Sequence, residues 1–360
     1  MASMTDSTPA SNVTAPLPLE SHSTTSVPSS TSITEDEAAL YDRQLRLWGV
    51  EAQNRIKNSN VLLCGEFRGI STEVAKNVVL AGVGKIALMD SKKVEWKDLG
   101  SGYWEREEDV GQYRVEVVAP RLQLLNPRVQ ISTHTNEEEL LKDETFLSSF
   151  DLIVMTDKDA KTILDLNTLT RKLGKKFFAA RSVGIHGWVF ADLLQHDFVI
   201  DQQKSAAPGE PTTIVPLKVS HSYSSFEDAV TKHDFSAKGQ KKLRMKTMKK
   251  REVLWAVLAT LNLELEQGRD DGERITSESL RKKADEVLPR LGVSPTDLTD
   301  PVISRFVELT PHEFAPSCAV LGGVLGQDVL NAVGGKEEPV RNLMAFDGDL
   351  GEGGVWALSC

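Results

Sequence analysis

Apolar side chains recur at three- and four-residue spacing just after the first 33 residues of the chain. Such spacing places them on one face of an amphipathic helix. Thr34 and Glu37 precede this stripe in the order of a capping box, which fixes the start of a helix. We therefore predict one continuous helix from Thr34 to about Lys57. The apolar stripe comprises Ala38, Tyr41, Leu45, Trp48, Ala52 and Ile56.

Farther along the chain, short apolar runs that fit buried strands alternate with segments of helical periodicity. This alternation is typical of a parallel sheet covered by helices on both faces. The expected fold class is therefore α/β, a Rossmann-like doubly wound sheet. The predicted strands are residues 60–64, 85–90, 129–133, 151–156 and 176–180, and the predicted helices are residues 72–81, 110–125 and 160–173.

The pattern changes in the last 160 residues of the chain. Residues 202–216 have the composition of a loop, residues 234–268 are strongly helical, and 277–291 form a charged amphipathic helix. A small-residue helix at 316–335 and a strand or hairpin at 346–358 end the chain. The domains expected are a tail at 1–33, a first part of an α/β domain at 34–200, an inserted helical half-domain at 201–300 and a closing part at 301–360.

Two segments have biased composition. Residues 1–33 are rich in Ser, Thr and Pro and carry few large apolar side chains. Such a segment buries too little surface to offset the entropy of ordering, so we predict a disordered tail. The basic run at 238–251 is consistent with a nuclear localisation signal, a patch for an acidic partner or the solvated face of a helix, and the last is the default.

Composition narrows the class of protein. The 360 residues carry a net charge of −10, which argues against nucleic acid as the main partner. No apolar run has the length of a membrane span, and we expect a soluble protein with no membrane partner. The three cysteines are too few and too scattered for a disulfide framework or a zinc site, and no metal site is expected. A reducing compartment, nucleus or cytosol, follows.

A strand, a glycine-containing turn, a helix and a second strand follow one another between Asn60 and Asp90. This is the plan of a dinucleotide-type βαβ unit, in which Asp90 is placed to bond a ribose hydroxyl. Phosphate-binding turns of this kind need glycines, because a Cβ keeps backbone N–H groups away from the phosphates. Here only Gly65 and Gly69 remain at wrong spacing, with Glu66 and Phe67 between them, and we infer a broken phosphate site.

The sequence YDRQLRLWG at 41–49, followed by EAQNRIKNSNVLLCG at 51–65, resembles the ubiquitin-activating family, which descends from bacterial adenylyltransferases of the ThiF and MoeB type. The likeness is to the non-catalytic subunits of its heterodimeric, SUMO-activating branch. It implies that Arg43 is donated across a dimer interface to the ATP phosphates of a catalytic partner subunit, with Arg46 in support. Without the resemblance, both arginines are ordinary surface residues.

The resemblance also implies which positions matter at this chain's own site. Active members carry an asparagine and an arginine where this chain has Asp98 and Ser101, and a catalytic lysine where it has Arg114. Asp157 matches a magnesium-binding aspartate, so Asp157 and Asp90 are interpreted as remnants of a degenerate site. Mg-ATP is expected on the catalytic partner, together with a SUMO-like modifier, and no cofactor is expected to bind this chain tightly.

The family's full cycle needs a cysteine nucleophile in the helical insertion, and residues 201–300 contain no cysteine. Cys64 and Cys318 are interpreted as packing residues and Cys360 as a frayed terminus. The sequence therefore predicts a regulatory subunit of an activating enzyme, in the nucleus and also the cytoplasm. The alternatives are a self-sufficient adenylyltransferase of the ThiF or MoeB kind and a scaffold without any catalytic contribution. A nicotinamide oxidoreductase is remote because its cofactor needs the same intact glycine turn.

Overall fold

The computed structural model describes residues 33–204, 213–236, 251–267 and 275–360. The helices are α1 (Glu35–Leu40), α2 (Asp42–Lys57), α3 (Gly69–Leu80), α4 (Arg114–Gln123), α5 (Glu137–Leu140), α6 (Glu144–Ser148), α7 (Ala160–Lys172), α8 (Phe226–Thr231), α9 (Glu252–Gln267), α10 (Ser277–Arg290), α11 (Asp300–Leu309) and α12 (Ala315–Gly334). The strands are β1 (Asn60–Gly65), β2 (Lys85–Met89), β3 (Gln130–His134), β4 (Leu152–Thr156), β5 (Lys176–Val183), β6 (His186–Asp192), β7 (Gln195–Lys204), β8 (Thr213–Ser222), β9 (Leu343–Asp347) and β10 (Glu352–Trp356).

An eight-stranded sheet in the order β10-β9-β6-β5-β4-β1-β2-β3 organises these elements. The five strands from β5 to β3 are parallel, whereas β10, β9 and β6 each run antiparallel to the next strand of that order. The chain forms β1, β2 and β3 on one side and then returns to place β4 on the other side of β1. This reversal is the switch point of a doubly wound sheet, and the predicted fold class is confirmed.

Helices cover both faces of the sheet. One hydrophobic cluster joins the sheet to α7, α9, α10 and α11, and the other joins it to α3, α4 and α12. In α9 every residue from Val253 to Glu264 is buried, so this helix belongs to the main core. Residues 33–360 form one compact unit, and the domain boundaries drawn at 200 and 300 stay predictions.

The predicted single helix from Thr34 to Lys57 is wrong, although its capping box is confirmed. The chain leaves helical geometry at Tyr41, with φ −100° and ψ 20°, and again at Gly49, with φ 83° and ψ 169°. Tyr41 turns its ring into the core, and a glycine tolerates the positive φ that a continuous helix would not contain.

Other boundaries also differ from the predictions. The helix expected at 110–125 begins only at Arg114, because residues 110–113 form a turn with Gly111 at φ 92°. The loop expected at 202–216 is wrong where the structure describes it, since Gln202 pairs with Val215 in the β7–β8 hairpin. The helix at 277–291, the small-residue helix and the closing hairpin are confirmed.

Two predictions fall on residues outside the described ranges. They are the disordered tail, apart from its last residue Ile33, and the basic run, apart from Arg251. Among the described helices, none combines the length and the apolarity needed to cross a membrane.

Candidate functional site

The carboxyl ends of β1, β2 and β4 meet at one edge of the sheet and enclose a cleft of about 390 Å³. Its walls include Glu66 after β1, Ser91 and Lys92 after β2, and Asp157 and Lys158 after β4. Ligands of doubly wound sheets bind outside the carboxyl ends of the strands at the switch point. The cleft is therefore this chain's own candidate nucleotide site.

The backbone N–H groups of the turn after β1 already have acceptors within the protein. Glu66 N donates to Thr156 O at 3.0 Å, Phe67 N donates to Asp90 Oδ2 at 2.8 Å, and Arg68 N donates to Glu66 O at 2.9 Å. In a phosphate-binding turn such N–H groups point at the ligand instead. The turn is thus closed on itself and on its neighbouring strands.

Close packing fixes the shape of this turn. Gly65 has φ 106°, and a Cβ built on it would lie 2.1 Å from Thr156 O, so only glycine fits there. The Phe67 ring is buried in the core cluster that contains α3. The bulk predicted to obstruct the turn therefore points into the protein.

Asp90 is fully buried at the end of β2. Its carboxylate accepts from Phe67 N at 2.8 Å, from Lys92 N at 2.7 Å and from Arg114 Nη1 at 3.2 Å. Burial raises the pKa of Asp90, and Arg114 opposes that rise. The residue stands where the sequence placed it, yet its oxygens bind protein donors.

Asp98 and Arg114, two of the three positions where the resemblance implies a departure from active members, bind each other. Arg114 is buried and donates from Nε to Asp98 Oδ2 at 2.8 Å and from Nη2 to Oδ1 at 3.1 Å. Arg68 Nε lies 3.2 Å from the same carboxylate and 3.3 Å from Glu313 Oε2. The guanidinium groups that would otherwise attract a phosphate already have carboxylates as counterions.

Asp157 lies beside this network with φ 53°, a left-handed conformation uncommon for a residue other than glycine. Its Oδ1 accepts from Ser182 N at 2.9 Å, whereas its buried Oδ2 has no hydrogen-bond partner among the described residues. Burial and the nearby Glu313 carboxylate raise the pKa of Asp157. A carboxylate in this environment favours a proton over a further anion.

Around Arg68 and Arg114, buried carboxylates outnumber the two guanidinium groups. Lys158, in the cleft wall, is also neutralised, since its Nζ lies 2.9 Å from Glu137 Oε2. We refer to the following residues as the internal charge network: Glu66, Arg68, Asp90, Asp98, Arg114, Asp157 and Glu313.

The helix pair that carries Arg43 and Arg46 is fixed at the opposite edge of the sheet. Tyr41 is buried, and its Oη accepts from Asn126 Nδ2 at 2.8 Å. A Cβ built on Gly82, just before β2, would lie 2.4 Å from that oxygen. Tyr41 thus packs against the amino end of the strands.

Arg43 itself is exposed and has no carboxylate within 4.0 Å among the described residues. Arg46, also exposed, pairs with Asp42 at 3.0 Å. Exposed apolar side chains surround this stretch, with Leu47 74% and Val50 55% accessible. An unpaired arginine among exposed apolar residues is typical of a surface that contacts another protein.

Arg43 and the cleft lie at opposite ends of the strands. Tyr41 contacts the amino end of β2, and Asp90 and Asp157 follow the carboxyl ends of β2 and β4. A strand of this length spans roughly 17–20 Å, whereas an arginine side chain reaches less than half as far. The structure brings Asp90 and Asp157 together and keeps Arg43 and Arg46 apart from them.

Sequence reasoning missed two members of the internal charge network. Arg68 carries a signal, since it occupies the turn that should hold glycines. Glu313 has no such signal in the sequence. The Ser101 hydroxyl donates to the Glu313 carboxylate, but the two residues are more than 200 positions apart. Only the folded chain brings these positions into contact.

Two of the three cysteines are buried packing residues. Cys64 and Cys318 are buried, and burial raises the pKa of both thiols, so neither is a ready nucleophile. Cys360 is exposed at the chain's end.

Known proteins resemble this chain over most of its length. The sequence profile of the ThiF family matches residues 41–353. SUMO-activating enzyme subunit 1 of Homo sapiens is 34% identical over 345 residues, which covers 91% of this chain and 96% of that protein. The DNA damage tolerance protein RHC31 of Saccharomyces cerevisiae is 33% identical over 338 residues, covering 88% of this chain and 95% of that protein.

Solved structures share the fold at low sequence identity. The crystal structure of PaaA is 14% identical with a TM-score of 0.52, and the alignment covers 88% of this chain and 81% of PaaA. Escherichia coli MccB with MccA-N7isoASN is 16% identical with a TM-score of 0.51, and the alignment covers 89% of this chain and 72% of MccB. These likenesses support the architecture of the sheet and its helices alone.

Proposed function

The chain belongs to the ThiF family, and we propose that it is the regulatory subunit of a heterodimeric SUMO-activating enzyme. Relatives of nearly equal length that are named SUMO-activating enzyme subunit 1 support this assignment. The catalytic partner then binds Mg-ATP and the modifier, adenylates the modifier's carboxylate and carries the thioester cysteine. Placement in the nucleus, and also the cytoplasm, stays a prediction.

The observation that carries the proposal is the separation of Arg43 from this chain's own cleft. An unpaired guanidinium at the amino edge of the sheet, about a strand's length from Asp90 and Asp157, cannot serve the phosphates of a nucleotide in that cleft. It remains available to a second subunit. Exposed Leu47 and Val50 beside it supply apolar area for that contact.

The internal charge network supports a second element of the proposal, that this chain does not use ATP itself. The N–H groups of the turn after β1 donate to acceptors within the protein. The guanidinium groups of Arg114 and Arg68 are paired with carboxylates. A triphosphate entering the cleft would meet the carboxylates of Glu66 and Asp157, and among the described wall residues only the exposed Lys92 offers a cation without a carboxylate within 4.0 Å. The residues present do not fit Mg-ATP, and we assign no chemical step to this cleft.

In the proposed complex, Arg43 acts as a pre-positioned positive charge. It would contact the phosphates of the nucleotide held by the partner, where negative charge develops as the modifier's carboxylate attacks. Removing one such donor typically costs about 3 kcal/mol of transition-state stabilisation. Arg46 has a supporting role at most, since Asp42 already binds its guanidinium.

Reconstitution tests the proposal. The full chain, the catalytic subunit and the two together are assayed for ATP–pyrophosphate exchange that depends on a SUMO-like modifier, and for thioester on the catalytic subunit. We expect exchange and thioester only with both subunits present. Exchange by this chain alone would support the alternative of a self-sufficient adenylyltransferase. Full activity of the partner without this chain would support the alternative of a scaffold.

A further inference from the structure

A second pocket, of about 350 Å³, lies at the outer edge of the sheet, beside β10. We call it the β10 pocket. It is bounded by the last turns of α12, the segment before β9 and the strand β10 itself. No part of the internal charge network lines it. The residues used below are Asp328, Glu338, Val340, Arg341, Val355 and Ala357.

Asp328 is a buried carboxylate without a cation. It is 6% exposed, its Oδ2 accepts from Val340 N at 2.7 Å, and no Lys, Arg or His of the described chain lies within 4.0 Å. Asparagine would satisfy Val340 equally well, so a carboxylate here requires a counterion or a proton.

Arg341 is the complementary case in the same pocket. Its guanidinium has no carboxylate within 4.0 Å among the described residues, and its Nε is buried without a hydrogen-bond partner. A buried N–H donor of this kind costs free energy unless an acceptor reaches it. The pocket therefore contains one anion and one cation that do not pair with each other.

The remaining charged member of the pocket already has a partner. Glu338 Oε1 lies 3.0 Å from Nδ1 of His221. Close by, Tyr223 is 4% exposed and its hydroxyl has no hydrogen-bond partner among the described residues. Burial raises the pKa of Tyr223, and the Asp328 and Glu338 carboxylates raise it further, which places the phenol near both. In and beside the pocket, Arg341 Nε and the Tyr223 hydroxyl thus lack hydrogen-bond partners among the described residues, and Asp328 lacks a cation.

We propose that the β10 pocket binds a small zwitterion of the amino-acid class, with its ammonium group on Asp328 and its carboxylate on Arg341. A cation alone would leave Arg341 unpaired, and an anion alone would leave Asp328 unpaired. Val340, Val355 and Ala357 supply apolar contacts for the carbon chain between the two charges. The volume is at the lower end of small-molecule sites, which suits a ligand of this size. This site is independent of the proposed activating function.

Binding of matched probes to the full chain tests the proposal by isothermal titration calorimetry. The zwitterions are L-norvaline and 5-aminopentanoate, which differ in the spacing of their charges. The singly charged analogues are pentylammonium and pentanoate. We expect at least one zwitterion to bind about tenfold or more tightly than either analogue, because each charge-assisted contact contributes.

Two variants assign the ends of the ligand. Asp328→Asn keeps an acceptor for Val340 N and should abolish the zwitterion's advantage over pentanoate. Arg341→Gln should abolish its advantage over pentylammonium. Asp165→Asn, an exposed carboxylate on α7, is the matched control and should leave both advantages unchanged.

Several results overturn the proposal. The first is that neither zwitterion shows saturable binding, and the second is that a singly charged analogue binds as tightly as the better zwitterion. The third is that Asp328→Asn removes the advantage over pentylammonium instead of pentanoate, or that Arg341→Gln removes the advantage over pentanoate instead of pentylammonium. Where a buried variant fails to fold, Val355→Trp at a 47% exposed position fills the pocket from its mouth. Zwitterion binding that survives Val355→Trp places the ligand elsewhere and contradicts the assignment.

Discussion

Arg114 and Asp98 form a two-pronged ion pair, with Nε to Oδ2 at 2.8 Å and Nη2 to Oδ1 at 3.1 Å, next to Glu66 of the cleft wall. Both side chains are buried. Parallel N–H···O bonds of this kind are strong and geometrically specific. The pair is therefore part of the protein's own framework.

Asp98→Ala should destabilise the full chain. The substitution leaves the Arg114 guanidinium buried with Asp90 at 3.2 Å and Glu66 at 3.9 Å as its remaining carboxylates, and breaking a buried pair costs about 3–5 kcal/mol. Urea denaturation followed by circular dichroism measures the loss. As a control, Glu138→Ala breaks the exposed pair with Lys142 and should cost less than about 1 kcal/mol. Equal costs for the two variants would show that the buried pair has no structural role.

Arg43→Ala should leave the heterodimer assembled and lower ATP–pyrophosphate exchange by roughly a hundredfold or more, as expected for the loss of one charge-stabilising donor. Arg46→Ala is the matched control, three residues along the same helix, and should have a much smaller effect because Asp42 already binds that guanidinium. Size-exclusion chromatography checks assembly. Unchanged exchange in an intact Arg43→Ala complex would remove the role given to this residue.

Gly82→Ala should disturb the support of the arginine helix. Gly82 has φ 81°, and an added Cβ would lie 2.4 Å from Tyr41 Oη. Positive φ costs about 1–2 kcal/mol for alanine, and overpacking adds about 1–3 kcal/mol. Thermal and urea denaturation should show this loss. Gly100→Ala, with open space around the added Cβ, should change stability little. A neutral Gly82→Ala variant would mean that Tyr41 is not firmly packed.

Asp328 should make stability depend on pH. Burial raises the pKa of Asp328 to about 7 in the folded chain, well above its unfolded value. Its contribution is therefore fully present below about pH 4 and is lost as pH rises through about 7. Relative to Asp328→Asn, the unmodified chain should lose about 4 kcal/mol between pH 4 and pH 8. Urea unfolding without added ligand measures this difference. A difference in unfolding free energy that does not change with pH would contradict the raised pKa of Asp328.

Local pattern predicted the regular elements well where one physical signal dominated. The capping box at Thr34 and Glu37, the buried run of β4 and the small-residue α12 all formed as expected. The errors fall where a local signal competes with packing. The break at Tyr41 depends on its contact with Asn126, which is 85 positions away. The β7–β8 hairpin depends on cross-strand pairing that a loop-like composition concealed.

Periodicity, residue type and resemblance are local properties, so the sequence alone indicated the fold class, the missing glycines of the turn and Arg43 as a residue of interest. The tertiary structure decided how Asp98 and Arg114 are neutralised and brought Arg68 and Glu313 into the same network. It also placed Arg43 at the opposite edge of the sheet from Asp90. Ion pairing and separation depend on distances between remote segments, and only the packed chain fixes those distances.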